Sequence, residues 1–419
     1  MELAQWLAHI ENQHPHSVEL GLERVREVAG RLGLERPAAQ VVTVAGTNGK
    51  GSTVAFIEAI ARAAGWRVGA YTSPHLLRYN ERVRVDGEEA SDAALAEVFA
   101  AVEAARGDTP LTYFEYGTLA ALWLFQHAGL DLAVLEVGLG GRLDAVNLVD
   151  PDVAVITTVD IDHTDWLGSD REAIGREKAG IARAWKPLVL GEVTAPSSVL
   201  AHAYAIGAGV VQLGNDFFHE TVDAEQWRWR EVGTELLLPH PRLAAPAQRA
   251  NAATAIAALR ALPRVPADAA FAVGVAAATL PGRLQRTVVD GIEVLVDVAH
   301  NPQAARELAA ALAAQPAAGS TAAVFAALAD KDAAAMVDAL AGHVRRWHLA
   351  GLAELARGEA VDAFAARLAG TAAADACRHD DVAAALAHAL AGAMPGDRIL
   401  VFGSFHTAAA AIATLRSGH

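Results

Sequence analysis

The stretch Gln40-Val41-Val42-Thr43-Val44-Ala45-Gly46-Thr47-Asn48-Gly49-Lys50-Gly51-Ser52 decides how the rest of the chain is read. Its first six residues are rich in β-branched side chains and largely apolar, as expected of a parallel strand covered on both faces. A glycine loop with one lysine follows, and the spacing predicts a helix over 52–64 that ends at Gly65. With the next apolar run, 66–71, this makes strand, loop, helix, strand: one right-handed crossover unit. Backbone N–H groups of such a loop, together with the helix N-terminus, hold phosphate oxygens, and Lys50 neutralises them. Gly51 stands where the usual pattern has a Ser or Thr for magnesium, and Ser52 comes one residue later. Further metal ligands are therefore expected elsewhere, as hard oxygens at neighbouring strand ends.

Working outward, the runs 131–137 and 152–159 are again rich in Val, Ile and Leu, so the architecture is α/β. Three chemical segments stand at the ends of such runs: Thr72-Ser73-Pro74-His75 after one, Glu136 closing another, and Asp160-Ile161-Asp162-His163 after a third. Each alone has a plainer reading, as a turn serine, a satisfied buried acid and a capped loop histidine. Together they sit where open α/β sheets place ligands, outside the carboxyl ends of the strands. Gly138-Leu139-Gly140-Gly141-Arg142-Leu143-Asp144 also follows a strand, but it lacks the third glycine of the dinucleotide fingerprint. Close backbone approach to a ligand is the better use for these glycines. Arg142 is either an anion clamp or half of a structural ion pair.

Upstream, Val18, Leu22, Val25 and Leu32 recur at helical spacing from Ser17 onward, predicting an amphipathic helix before the first strand. Downstream, 215–243 is mixed, and Trp227-Arg228-Trp229-Arg230 alternates like a half-exposed strand without assigned function. Pro281-Gly282-Arg283 is a turn, after which strand-like runs restart at 292–298, 321–328 and 398–402. A boundary near 286 is expected. The alanine-rich second half keeps helical spacing among Leu, Val and charged residues, which favours packed helices over disorder.

Composition sets outer limits. A chain of 419 residues, 53% hydrophobic and 20% charged, can bury a large core. Its one cysteine, Cys377, excludes an internal disulfide and any multi-cysteine metal site. Glu2, His9 and Glu11 interrupt the N-terminus where a secretory signal needs an apolar run, and no run approaches membrane-spanning length, so a cytoplasmic protein is expected. A net charge of −15 argues against broad nucleic-acid binding and leaves anionic substrates to local cations.

The ordered motifs GTNGKGS from Gly46, TSPHL from Thr72, TYFEYGTLA from Thr112, EVGLGGRLDAVN from Glu136 and DIDHTDWLG from Asp160 resemble the folylpolyglutamate synthase/dihydrofolate synthase branch of the Mur ligase superfamily. REKAGI from Arg176, RANAATAI from Arg249, PGR from Pro281 and DVAHNP from Asp297 extend the likeness over nearly the whole chain. The resemblance implies a P-loop domain with a mostly parallel central sheet over 1–286, with the pterin pocket, and a smaller Rossmann-like α/β domain over 287–419 concerned with glutamate. It implies that Thr47, Asn48, Gly49 and Lys50 hold ATP phosphates. Asn251, Arg283 and Asp297 match further ATP contacts, which places the nucleotide between the domains. Ser73, Glu136 and His163 match ligands of two magnesium ions, and Lys178 matches a carbamylated lysine that helps organise them.

By the same resemblance His300 and Ser404 are implicated with the incoming glutamate. Thr112, Tyr113, Phe114 and Glu115, with Leu143, Asp144 and Ala145, correspond to the dihydropteroate pocket; individually, such aromatics are often plain helix core. Asn301 and Pro302 read locally as a helix cap and first helical residue. The implied activity is ATP-dependent addition of L-glutamate to dihydropteroate and to reduced folates through an acyl phosphate, by a monomer. A monofunctional folylpolyglutamate synthase is one alternative. A cell-wall Mur ligase is another, though the 45 residues before Gly46 leave no room for a UDP-binding domain of about 100 residues. A module that hydrolyses ATP to regulate binding is a third.

Overall fold

The computed structural model describes residues 1–14 and 19–417. Two compact units emerge, one of 1–242 with 248–279, the other of 243–247 with 280–419. The chain passes from one to the other at Thr279–Leu280 rather than near 286. Residues 285–289 pair antiparallel with 292–296, so the strand straddling the expected boundary belongs wholly to the second unit.

In the first unit the strands are β1 (Gln40–Ala45), β2 (Val68–Tyr71), β3 (Val83–Val85), β4 (Glu88–Glu89), β5 (Leu132–Glu136), β6 (Val153–Ile156), β7 (Pro187–Leu190) and β8 (Gly209–Gln212). They form one sheet in the order β4-β3-β2-β5-β1-β6-β7-β8, parallel from β2 to β8, with β3 and β4 antiparallel at one edge. All six residues of β1 are buried, which is why its apolar run is continuous and not alternating. The helices are α1 (Leu3–Glu11), α2 (Glu23–Arg31), α3 (Lys50–Ala63), α4 (Asp92–Arg106), α5 (Tyr113–Ala128), α6 (Thr164–Leu167), α7 (Arg171–Ala179), α8 (Ser197–Ile206), α9 (Ala247–Arg260) and α10 (Asp268–Ala277).

The predicted N-terminal helix is shorter than its pattern. Ser17 and Val18 lie outside the described residues, and α2 begins at Glu23. A separate α1 precedes it, packing Leu3, Trp6 and Ile10 into a core shared with α4 and α5. A second, three-stranded sheet, β9 (Phe217–Thr221), β10 (Gln226–Glu231) and β11 (Thr234–Pro239), is antiparallel with β10 central. The tryptophan-arginine alternation is real: Trp227 and Trp229 are fully buried. Their indole N–H groups donate to Pro239 O and Ala253 O at 2.9 and 3.1 Å, so neither polar tip is buried unpaired.

The second unit carries β12 (Gln285–Val289), β13 (Ile292–Val296), β14 (Thr321–Phe325), β15 (Arg346–Ala350), β16 (Cys377–His379) and β17 (Arg398–Phe402). Their order is β12-β13-β17-β14-β15-β16, parallel except for β12. Helices α11 (Pro302–Ala314), α12 (Ala333–Leu340), α13 (Val361–Arg367), α14 (Val382–Ala391) and α15 (Phe405–Ser417) complete it. The expected strands end two or three residues early, at Val296 and Phe325, because the chain there leaves the ladder to form strand-end loops. Among the described residues, no helix is long and apolar enough to cross a membrane.

Candidate active site

The order of the first sheet reverses its direction of growth around β1: the chain adds β2 and β5 on one side of it and β6 to β8 on the other. Such a switch point opens a crevice at the carboxyl ends of the strands. The register fixes what lines it. Val44 pairs with Glu136 on β5, and Ala45 with Ile156 on β6, so the loop after β1 emerges between Glu136 and Thr157-Thr158.

The loop is held by its neighbours' backbone and hydroxyls. Thr47 N donates to Thr158 O at 2.8 Å, Asn48 N to Thr158 Oγ1 at 3.1 Å, and Thr157 Oγ1 to Asn48 O at 2.6 Å. Thr47 Oγ1 donates to Asp160 O and accepts from Asp160 N, both at 3.0 Å, which ties the DIDH segment to the loop. Gly49 sits at φ +87° directly before α3, and a Cβ there would lie 2.5 Å from Asn251 Oδ1. Only glycine satisfies both conditions. Asn251, on α9, lies against the loop. Lys50 Nζ donates to Gly46 O and Thr47 O at 3.0 and 3.2 Å, so its ammonium is curled over the loop.

Beside it, Ser73 N donates to Glu136 Oε2 at 3.2 Å, joining two of the expected ligands across the β2–β5 edge. His163 stands at φ +53° before α6, its N–H on Asp162 Oδ1 at 2.8 Å. Lys178, near the end of α7, is buried. Burial, reinforced by the Lys50 charge, pulls its pKa down to about 7, against the opposing pull of Asp162 and Asp144. Asp144 is pushed up to about 7 by burial although it accepts the N–H groups of Leu139, Val146 and Gly138 at 2.9, 3.0 and 3.1 Å. Loop lysine, buried lysine and buried acids thus lie within electrostatic reach of one another.

Other expectations resolve differently. Arg142 is a structural partner: it forms an ion pair with Glu177 at 3.1 Å on an exposed surface. The Gly138–Gly141 turn packs closely against protein. A Cβ on Gly138 would reach the Phe114 ring at 2.7 Å, and one on Gly141 the carbonyls of Glu177 and Lys178 at 3.0 Å. Thr112 and Glu115 are buried in a reciprocal cap at the start of α5, and Glu115 also binds Arg24 at 2.8 Å. Within that motif Tyr113 and Phe114 remain partly exposed and Phe114 lies 5.9 Å from Tyr71, ring to ring. Leu143 is partly exposed and Ala145 buried beside Asp144.

In the second unit the same strand-end rule operates. After β13, Asp297 accepts from Leu284 N and Ala299 N at 2.7 and 2.8 Å, and burial raises its pKa against the pull of Arg283. The Arg283 guanidinium lies 5.4 Å over the Phe405 ring, and the His300 ring is 5.9 Å from the same phenyl. His300 Nδ1 faces Val298 O at 2.9 Å. Asn301 caps α11 through Ala304 N at 2.9 Å, with Pro302 next, as read. Ser404 is buried, its hydroxyl 2.7 Å from Thr407 Oγ1 and accepting from Thr407 N, so its contacts are those of a helix cap.

Sequence reasoning did not single out Thr157 and Thr158, which clamp the loop, or Arg82, whose Nε donates to His75 Nδ1 at 2.9 Å and whose guanidinium lies 5.5 Å over Tyr113. The threonines carried a usable signal, since they directly follow β6. Arg82 carried none, because its position depends on the antiparallel return of β3.

Two family models match: the Mur ligase middle domain over residues 44–258 and the Mur ligase glutamate ligase domain over 282–405. The dihydrofolate synthase/folylpolyglutamate synthase of Escherichia coli (strain K12) is 48% identical over 408 residues, 97% of this chain and 94% of that protein. A structure of Escherichia coli FolC in complex with DHPP and ADP superposes with a TM-score of 0.94 at 47% identity, covering 100% of this chain and 98% of that one. A bifunctional folylpolyglutamate synthase/dihydrofolate synthase with Mn, AMPPNP and L-glutamate bound gives 0.91 at 47% identity, over 99% and 98% of the two chains. Fold, ordered strand-end residues and full-length likeness agree: this chain is an ATP-dependent ligase and belongs to the dihydrofolate synthase/folylpolyglutamate synthase family of Mur ligases.

Proposed function

We propose that the chain joins L-glutamate to dihydropteroate and to reduced folates at one site, each time through an acyl phosphate made with ATP. The observation that carries this reading is the cluster at the carboxyl end of β1, where Lys50, Ser73–Glu136, Asp160–His163 and buried Lys178 surround one phosphate loop. A carboxylate resists amine attack until its oxygen becomes a leaving group. Bringing it to a γ-phosphate opposes two negative charges, roughly 4 kcal/mol per unit pair at ~4 Å and an effective dielectric of 20. Lys50 offsets this repulsion, and the loop N–H groups hold the transferring oxygens where charge develops.

The donors suit a hard divalent ion: a carboxylate, a hydroxyl and an imidazole beside a phosphate cradle. Ser73, Glu136 and His163 would hold Mg²⁺, two ions in the full complex, which would supply positive charge beside the phosphate loop. Lys178 fits its expected carbamylation because that reaction needs a neutral amine. Its neutral nitrogen adds to CO₂, one proton leaves, and an uncharged amine beside Lys50 becomes a carbamate anion. Thr47, Asn48, Gly49, Asn251, Arg283 and Asp297 would position ATP. Tyr113, Phe114, Leu143 and Asp144 would receive the pterin, with Thr112, Glu115 and Ala145 setting the shape behind them. His300 would serve the incoming glutamate, with Ser404 holding the adjacent helix start. The protein would act as a cytoplasmic monomer.

Dihydropteroate and tetrahydrofolate, assayed separately with ATP, Mg²⁺ and glutamate, test the dual activity. Turnover of both is expected; turnover of one alone refutes the shared site. Activity only with UDP-muramoyl precursors would overturn the substrate assignment altogether.

A further inference from the structure

Three histidines of the second unit converge without any part in the ligase chemistry. His348 is the third residue of β15, His379 the last of the edge strand β16, and His388 lies on α14. The parallel register places Ala350 opposite His379 and Cys377 opposite His348, and α14 brings its histidine to the same place. His379 Nε2 is 3.4 Å from His348 Nδ1 and 3.4 Å from His388 Nδ1, and one nitrogen from each ring lies within 4.8 Å of the others.

These separations are poor for hydrogen bonds and good for a metal. An N–H···N contact at 3.4 Å is well beyond the usual ~2.9–3.0 Å, and a single ring nitrogen offers one proton or one lone pair to two partners. By contrast, nitrogens held about 2.0–2.1 Å from a tetrahedral ion stand about 3.3 Å apart along each edge. Two of the three edges already have about that length, and the third nitrogen pair lies within 4.8 Å, with the His388 side chain exposed. Two of the rings, His348 and His379, are also biased toward the neutral form that can bind a metal. Burial, with the other two imidazoles and Arg346 beside it, holds His348 down to about 4, and burial and His388 lower His379 against the opposite pull of Asp380 and Asp381. The Asp381 carboxylate is occupied in capping α14, accepting Ala384 N at 2.8 Å.

We propose that His348, His379 and His388 bind one divalent transition-metal ion of the zinc class, with water completing a tetrahedron. Imidazole nitrogen selects Zn²⁺, Co²⁺, Ni²⁺ or Cu²⁺ over Mg²⁺ and Ca²⁺, which prefer oxygen. The site is therefore chemically separate from the oxygen-rich set beside the phosphate loop. The ion would clip a three-residue edge strand to β15 and α14, closing the part of the sheet with the fewest ladder bonds.

The test is Co²⁺ titration of the untagged chain in excess Mg²⁺, followed by visible absorption, with Zn²⁺ as competitor. One Co²⁺ with the intense bands of a four-coordinate nitrogen site, displaced by one Zn²⁺, is expected. His388→Ala, on an exposed helix face, should keep the native circular dichroism spectrum and weaken binding at least 10–100-fold, the loss seen even for supporting partners. His379→Ala should abolish it, while Glu136→Gln leaves it intact. Zn²⁺ should also raise the melting temperature of the native chain and not that of His388→Ala. Native protein that binds no Co²⁺ under these conditions, or His388→Ala that binds it as tightly as native, overturns the proposal.

Discussion

At the scale of single residues, the two lysines near the glycine loop differ in character. Lys50 is a part-buried cation curled over the loop, and Lys178 a buried amine whose pKa is pulled down. Lys50→Ala should abolish ligation with an unchanged circular dichroism spectrum; near-normal turnover would remove it from the mechanism. Native mass spectrometry in bicarbonate buffer should show the mass of one added CO₂, absent in Lys178→Met. Lys178 also predicts a pH effect on stability. Its folded pKa of about 7 lies below the ~10.4 of a free lysine, so between those values the unfolded chain binds the extra proton. Stability from this group is greatest at high pH and is lost as pH falls toward 7. In CO₂-free buffer, urea midpoints should rise from pH 7 to pH 9 more in the native chain than in Lys178→Met. Equal rises would show that the amine is not desolvated.

At the scale of elements, packing decides which glycines tolerate change. Gly274 on α10 lies against α3 so closely that a Cβ would come 2.3 Å from Ile60 Cα. Gly274→Ala should destabilise by about 1–3 kcal/mol through forced helix separation. Gly30, near the end of α2, has no atom within 4 Å of the same position, so Gly30→Ala should stabilise by about 0.5–1 kcal/mol through helix propensity. Urea unfolding of both variants checks the contrast, and shifts of the same sign would contradict it. Strands were legible in the sequence because covered strands need continuous apolar runs, and β17 was read to the residue. The end of β6 was not, since residues 157–159 stay apolar or β-branched while leaving the ladder to clamp the loop.

At the scale of the whole molecule, the doubly covered parallel sheets and the strand-end chemistry were readable because both are local: each apolar run and the residues after it are contiguous. What was not readable depends on tertiary placement. The histidine trio is spread over 41 positions, from 348 to 388; the passage between units at Thr279–Leu280 depends on a hairpin pairing; and Arg142 found its partner on α7. The cap formed by Thr112 and Glu115 is by contrast local, a T-x-x-E capping box at the start of α5 that the pocket reading of this segment passed over. The most direct measurement is mass spectrometry of a reaction holding dihydropteroate, ATP, Mg²⁺ and isotope-labelled glutamate, with ADP quantified alongside. One labelled glutamate joined to the pterin for each ADP released is the predicted result, whereas ADP release without a glutamylated product would contradict a ligase of this family.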